Sequence, residues 1–186
     1  CEAVGAVLAV DECFLDFQPE GEGLSAKHLL KNGKQLIILK AFTKLYGMAG
    51  VRLGYCLCSD TELLARMRAA GQPWAVSSLA QAAGIAALDE TEYVAKVRAL
   101  IEAQRPVLAD GLRALGLRVI EGRANYLLFR APEALGEALR RKGAVLRSCG
   151  NYPGLDASWY RTAVRTENEN RQLLALLAET LPEVAQ

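Results

Sequence analysis

Lys44 is the side chain of this chain best placed to do chemistry. It lies in the run Lys40-Ala41-Phe42-Thr43-Lys44-Leu45-Tyr46-Gly47-Met48-Ala49-Gly50-Val51-Arg52-Leu53-Gly54-Tyr55, just past the apolar stretch Leu36 to Leu39. That stretch reads as a buried strand of a parallel sheet. A lysine delivered by a strand end into a loop of glycines and hydroxyls can condense with a carbonyl group, or it can be a solvated loop residue. Thr43 and Arg52 on the same loop offer a hydroxyl and a planar fork of donors, a set that suits a phosphate. Gly47, Gly50 and Gly54 would let the backbone turn tightly there, although a glycine-rich connection with incidental charge has the same composition. Asp11 stands at the C-terminal end of an earlier strand, the end outside which ligands sit in open α/β sheets. It can pair with a cationic nitrogen of a ligand or simply cap a turn, while Glu12 and Asp16 are expected to be solvated. A further cluster comprises Asn125, Arg147, Arg161 and Arg165. Arg161 and Arg165 are four apart on an expected strand and would emerge on one face, where an anionic substrate or acidic side chains must pair with them.

These residues need a scaffold, and composition bounds it. With 186 residues, 52% of them hydrophobic, the chain is long enough for one domain with a sizeable core or one and a half smaller ones. A net charge of +1 gives no electrostatic case for nucleic acid or an anionic membrane. No apolar run approaches the roughly 18 residues of a membrane span, and the apolar Val4 to Val10 has no basic segment before it. Cys1, Cys13, Cys56, Cys58 and Cys149 are odd in number and scattered, which argues for a reducing, cytoplasmic setting and against a disulfide framework. Cys56 and Cys58 could share a strand face, but a single histidine, His28, and no second cysteine pair leave no metal site expected.

The pattern alternates strands and helices. Strands are expected at Ala6 to Val10, Gln35 to Leu39 and Leu53 to Cys58, with a short helix over Ser25 to Lys31 ended by Gly33. A helix over Asp60 to Ala70 is capped by Asp60 and stopped by Gly71. An Ala-rich helix over Ser78 to Leu88 is expected to be buried. Thr91 to Leu115 has helical spacing at Val94, Val97, Leu100 and Ile101, with a bend expected at Pro106. Beyond Gly116, expected strands at Leu117 to Ile120, Tyr126 to Phe129, Ala144 to Leu146 and Tyr160 to Val164 surround a helix near Glu133 to Lys142. A terminal helix near Glu167 to Leu181 completes a small α/β unit. The domain junction is expected inside the long helix, giving domains 1–105 and 106–186. The chain has no starting methionine and enters a strand almost at once, so an N-terminal portion is expected to precede it.

Taken in order, a strand-end aspartate, a lysine 33 residues later, an arginine 8 beyond it and a small α/β unit bearing arginines form a specific set. It resembles the second half of the fold type I aminotransferases, which depend on pyridoxal 5'-phosphate. The resemblance covers essentially the whole chain. It implies an α/β fold: the C-terminal part of a large, mostly parallel-sheet domain, then the small domain. It also implies roles. Asp11 would pair with the pyridine nitrogen and keep the ring protonated, Lys44 would hold the cofactor, Arg52 with Thr43 would bind its phosphate, and Arg161 the substrate carboxylate. Val10-Asp11-Glu12-Cys13-Phe14-Leu15-Asp16-Phe17, Arg147 to Leu155 and Tyr160 to Thr166 are most similar to the threonine-phosphate decarboxylase branch of cobalamin biosynthesis. The histidinol-phosphate aminotransferase branch usually has tyrosine at Phe14, and phenylalanine cannot donate that hydrogen bond. Arg147 would hold a substrate phosphate, and Arg165 and Asn125 would support substrate binding. A small phosphorylated amino acid as substrate and a homodimer follow from the same resemblance. Two departures bear on this. Ala41 stands where relatives often carry a hydroxyl, and the family's glycine-rich phosphate turn, stacking aromatic and asparagine beside the 3'-oxygen would all precede Asp11. This stretch alone is therefore expected to be poorly active. Outside catalysis, a non-catalytic binding protein on the same scaffold is the third alternative.

Overall fold

The computed structural model describes residues 1–31 and 35–184; the expected helix stop at Gly33 lies outside them. The chain divides into two compact units, Cys1–Val97 and Arg98–Gln186, and the division falls inside the long helix, ahead of the junction expected at Arg105.

In the first unit, β1 (Leu8–Asp11), β2 (Leu36–Ala41) and β3 (Gly54–Leu57) form one sheet in that order. β1 and β2 are parallel, with Asp11 opposite Leu39, but β3 runs antiparallel to β2, so the sheet is mixed rather than mostly parallel. The apolar run supplies the core, with Ile38 fully buried and Leu36 and Ile37 nearly so, together with Phe42, Leu45 and Phe17. The ring of Phe42 stacks on Tyr46 at 5.1 Å, which ties the Lys44 loop to the sheet. Gly54 is required where β3 meets β2, because a Cβ there would lie 2.9 Å from the Lys40 carbonyl oxygen. Between β1 and β2 lie a short helix α1 (Gly21–Leu24) and a 3-10 helix, Ala26–Lys31, where a helix from Ser25 was expected.

Helix α2 (Thr61–Ala70) begins as expected at Asp60, whose carboxylate accepts from the amides of Glu62 and Leu63 at 3.0 Å. Helix α3 (Ser78–Leu88) starts at a Ser77 cap. It is not the buried helix that its composition suggests. Only Ala80, Gly84 and Ala87 are covered, while Leu79, Ile85 and Leu88 are 60–82% exposed. Small side chains make the inner face, and the larger apolar ones point outward. Helix α4 (Thr91–Ala114) runs through Pro106, which leaves one carbonyl in the preceding turn without its helical amide.

The second unit is an antiparallel sheet of β4 (Arg118–Ile120), β5 (Tyr126–Arg130), β6 (Arg147–Ser148) and β7 (Trp159–Ala163), in the order β4-β5-β7-β6. Leu108 and Leu112 of α4, Phe129 of β5, Leu135 and Leu139 of α5 (Leu135–Arg141) and Leu177 of α6 (Glu167–Val184) are all fully buried in one cluster. Two expectations fail here. Ala144 to Leu146 is not a strand: pairing with β7 is confined to Arg147 and Ser148, and Val145 is 75% exposed. Arg165 is not on β7 either, because the strand stops at Ala163 and a capping box takes over. The Thr166 hydroxyl donates to Glu169 at 2.6 Å, and Asn170 accepts from the Arg165 amide at 3.0 Å. Replacing Phe129 by alanine is expected to destabilise this unit by about 3–5 kcal/mol, the cost of emptying a fully buried aromatic site; urea unfolding followed by tryptophan emission measures it.

Candidate active site

Strand alternation separates two neighbouring carboxylates. Asp11 ends β1 and is exposed on one face; Glu12, the next residue, donates its amide to the Leu39 carbonyl at 2.9 Å and turns its side chain to the buried face.

On the exposed face, Oδ1 of Asp11 accepts from the Cys13 amide at 2.9 Å. Hydrogen bonds from Cys13, thiol first and amide second, hold the Asp11 carboxyl below the usual range against its partial burial, and the charge of Lys44 adds to them. The Cys13 thiol is pushed up to about 11, by burial first and then by Asp11, so it remains a protonated donor at neutral pH. Lys44 is exposed, has no salt-bridge partner among the described residues, and places Nζ 5.4 Å from the Phe14 ring centroid. Thr43 beside it is half-buried.

Arg52 sits at the end of the 3-10 turn Ala49–Val51 in a left-handed conformation, φ 59°, which costs energy for a side chain with a Cβ. Its Nη1 donates to the Ala49 carbonyl at 3.1 Å, and the guanidinium is otherwise exposed. Gly47, at φ 65°, needs its residue type for the same loop, whereas a Cβ on Gly50 would meet nothing. The loop thus carries an amine, a hydroxyl and a guanidinium, and Asp11 supplies an ionised carboxylate within electrostatic reach of the amine. These groups fit pyridoxal 5'-phosphate: amine for carbonyl, carboxylate for the ring nitrogen, guanidinium and hydroxyl for the phosphate. None of the three charged groups is spent in an internal ion pair among the described residues.

The buried face corrects a sequence expectation, because Glu12 and Asp16 are not simply solvated. Glu12 is 5% exposed and Lys40 4%. Nζ of Lys40 lies 2.7 Å from Oδ1 of Asp16 and 3.1 Å from Oε2 of Glu12. Glu12 also accepts from the Ser25 hydroxyl at 2.8 Å and the Ala26 amide at 2.7 Å. Burial pushes the Glu12 carboxyl up, but the Ala26, Ser25 and Lys40 interactions outweigh it and leave it lowered. For Lys40, burial pulls the ammonium down, and Asp16 and Glu12 more than restore it. A signal for this cluster was present in the sequence: a lysine inside an apolar strand needs acidic partners, and Glu12 and Asp16 are two residues of that kind.

In the second unit, Arg147 and Arg161 are direct cross-strand partners on β6 and β7, a pairing of like charges that is unfavourable without an anion. Neither has a carboxylate partner among the described residues. The Arg161 guanidinium lies 4.6 Å from the Tyr126 ring centroid, and Arg147 donates to Asn151 at 3.4 Å. Oδ1 of Asn125 is buried and has no hydrogen-bond partner among the described residues. Arg165 does not join this pair; it bonds Glu169 at 3.3 Å. Among the described residues no cluster of histidine, cysteine and carboxylates could hold a metal, and no helix is long and apolar enough to cross a membrane.

Two outcomes test this electrostatic picture. Replacing Cys13 by alanine is expected to move the Asp11 titration back up toward the ordinary carboxylate value, as read by carboxyl-carbon NMR. Because Glu12 is lowered on folding, its contribution to stability is present above the unfolded value near 4.5 and is lost as pH falls through the folded value. Urea midpoints of the unmodified chain should therefore drop on acidification below about pH 4.5, and those of Glu12→Gln should drop less.

Comparison with known proteins shows the family. The model of the aminotransferase class I and II family matches residues 1–177. The chain is 36% identical over 189 residues to the threonine-phosphate decarboxylase of Salmonella typhimurium, covering 100% of this chain and 51% of that protein. It is 36% identical over 180 residues to a histidinol-phosphate aminotransferase of Symbiobacterium thermophilum, covering 95% and 48% respectively. The solved histidinol-phosphate aminotransferase of Clostridium acetobutylicum superposes with a TM-score of 0.89 at 30% identity, over 97% of this chain and 56% of that one. The chain thus spans about half the length of the curated relatives it matches. It belongs to the class I and II aminotransferases, a family dependent on pyridoxal 5'-phosphate, with which a solved relative is in complex.

Proposed function

We propose that this chain carries the lysine-bearing half of a pyridoxal-phosphate enzyme acting on a small phosphorylated amino acid, most closely a threonine-phosphate decarboxylase of cobalamin biosynthesis. One observation carries the reading: an exposed lysine amine with no salt bridge among the described residues lies within electrostatic reach of an ionised strand-end aspartate. When bound, the cofactor supplies an electron sink for charge left on the substrate's α-carbon. The residues of the chain do the rest. Lys44 would hold the cofactor by its carbonyl carbon and give way there to the substrate amine, and Asp11 would pair with the ring nitrogen and keep it protonated. Arg52 and Thr43 anchor the phosphate. Arg161 takes the substrate carboxylate and Arg147 the substrate phosphate, a division supported by their unneutralised cross-strand pairing. The unpartnered Oδ1 of Asn125 fits an acceptor for a substrate donor. Arg165, held by Glu169, supports from outside this pair.

Decarboxylation is favoured by Phe14, which has no hydroxyl to offer the cofactor's 3'-oxygen. The equal identity to a histidinol-phosphate aminotransferase supports transamination as the second reading, in which Lys44 also moves a proton between two carbons. The reading includes a homodimer, supported by the exposed apolar side chains of α3, and a cytoplasmic setting, supported by five free cysteines. It also includes poor activity of these 186 residues alone, supported by relatives about twice as long.

Borohydride reduction with cofactor, then peptide mapping, should place the pyridoxyl group on Lys44. Lys44→Ala should lose both that label and, in the complete enzyme, at least a thousandfold of turnover, as expected for a covalent catalytic residue. Carbon dioxide release from O-phospho-threonine supports the decarboxylase, whereas glutamate formation from 2-oxoglutarate with histidinol phosphate supports the transaminase. Retained function in Lys44→Ala would turn the reading to a binding protein.

A further inference from the structure

We propose that Lys40 is a positioning residue for the Lys44 amine: it clasps both ends of the turn from Glu12 to Asp16 and thereby holds the Phe14 ring against that amine. The inference rests on the reading of Lys44 as the cofactor lysine.

The contacts form one chain. Lys40 Nζ is bonded to Glu12 at the start of the turn and to Asp16 at its end. The turn is closed within itself by Leu15 N to Glu12 O at 3.0 Å and Phe17 N to Phe14 O at 3.4 Å, and Phe17 is buried beneath it. Phe14 therefore has little freedom, and its ring faces Lys44 Nζ at 5.4 Å. That ring is the surface the Lys44 amine rests against, so the amine's orientation is inherited from the turn.

Folding alone does not call for the second carboxylate. Glu12 already neutralises Lys40, and Ser25 and Ala26 satisfy its other lone pairs. Asp16 adds a second carboxylate to Lys40 and is the nearer of the two to Nζ. What Asp16 contributes is the far end of the turn.

The test uses cofactor trapping as a ruler. The complete enzyme is treated with pyridoxal 5'-phosphate and borohydride, and labelling of Lys44 is measured relative to Lys96, an exposed lysine of the same unit paired with Glu92. Asp16→Ala leaves a neutral Lys40–Glu12 pair, so it retains the fold better than loss of Lys40 would. Phe14→Leu keeps the clasp and removes the ring. Each is expected to lower the Lys44 to Lys96 ratio by about twofold or more, because a reacting amine that loses its orientation reacts more slowly. The double variant should fall no further than either single one, because both act through the same contact. An unchanged ratio in either single variant, or effects that multiply in the double variant, overturns the positioning role and leaves the reading of Lys44 intact. Absence of any preference for Lys44 in the unmodified complete enzyme overturns the reading itself, and the positioning role with it. General loosening of the fold would raise both labels together and leave the ratio flat, which also counts against the proposal.

Discussion

A buried ammonium organises the first unit. Lys40 is 4% exposed, and without acid partners its charge would be too costly to bury. Because its partners come from the segment after β1, and Glu12 is in turn bonded to Ser25 and Ala26, the one group ties the β1 end, the following turn and the start of the 3-10 helix to β2. Removing the Lys40 ammonium would leave two carboxylates stranded, so these segments are held as a set rather than one by one.

The sheet turns that anchorage into chemistry through its two-residue alternation. Asp11 and Glu12 are adjacent in sequence but face opposite ways. The rear residue is locked by an ammonium, a hydroxyl and an amide. The front one is left open to solvent, ionised and oriented by Cys13. A rigid back supporting an exposed front is how a carboxylate can be kept both precisely aimed and available. Arg52 obeys the same logic by another route: its left-handed backbone is a local strain that the flanking 3-10 turn and β3 hold in place.

Much of this was legible in the residues. The order and spacing of Asp11, Lys44 and Arg52 pointed to the front face, and the caps at Asp60 and Gly71 bounded α2 correctly. The rear face was missed because its evidence is not periodic: Lys40 interrupts an apolar run only once, and its partners sit in a loop that reads as solvated. Strand alternation puts Arg165 beside Arg161, but the capping box Thr166-Glu167-Asn168-Glu169 ends β7 before that arginine. Burial of α3 was misjudged for a different reason. Composition reports how apolar a helix is, not which face meets a neighbour, and here only the alanine and glycine face does.

The short margins of the second sheet carry a separate consequence. β4 has three residues and β6 two, so each border offers few unpaired amides and carbonyls to a foreign strand, and Arg118 and Arg147 place charge on both. Such borders resist edge-to-edge polymerisation. Exposed apolar surface on a helix is a different matter: the outward leucines and isoleucine of α3, near the 96% exposed Trp74 in sequence, form a face that favours self-association in a concentrated solution.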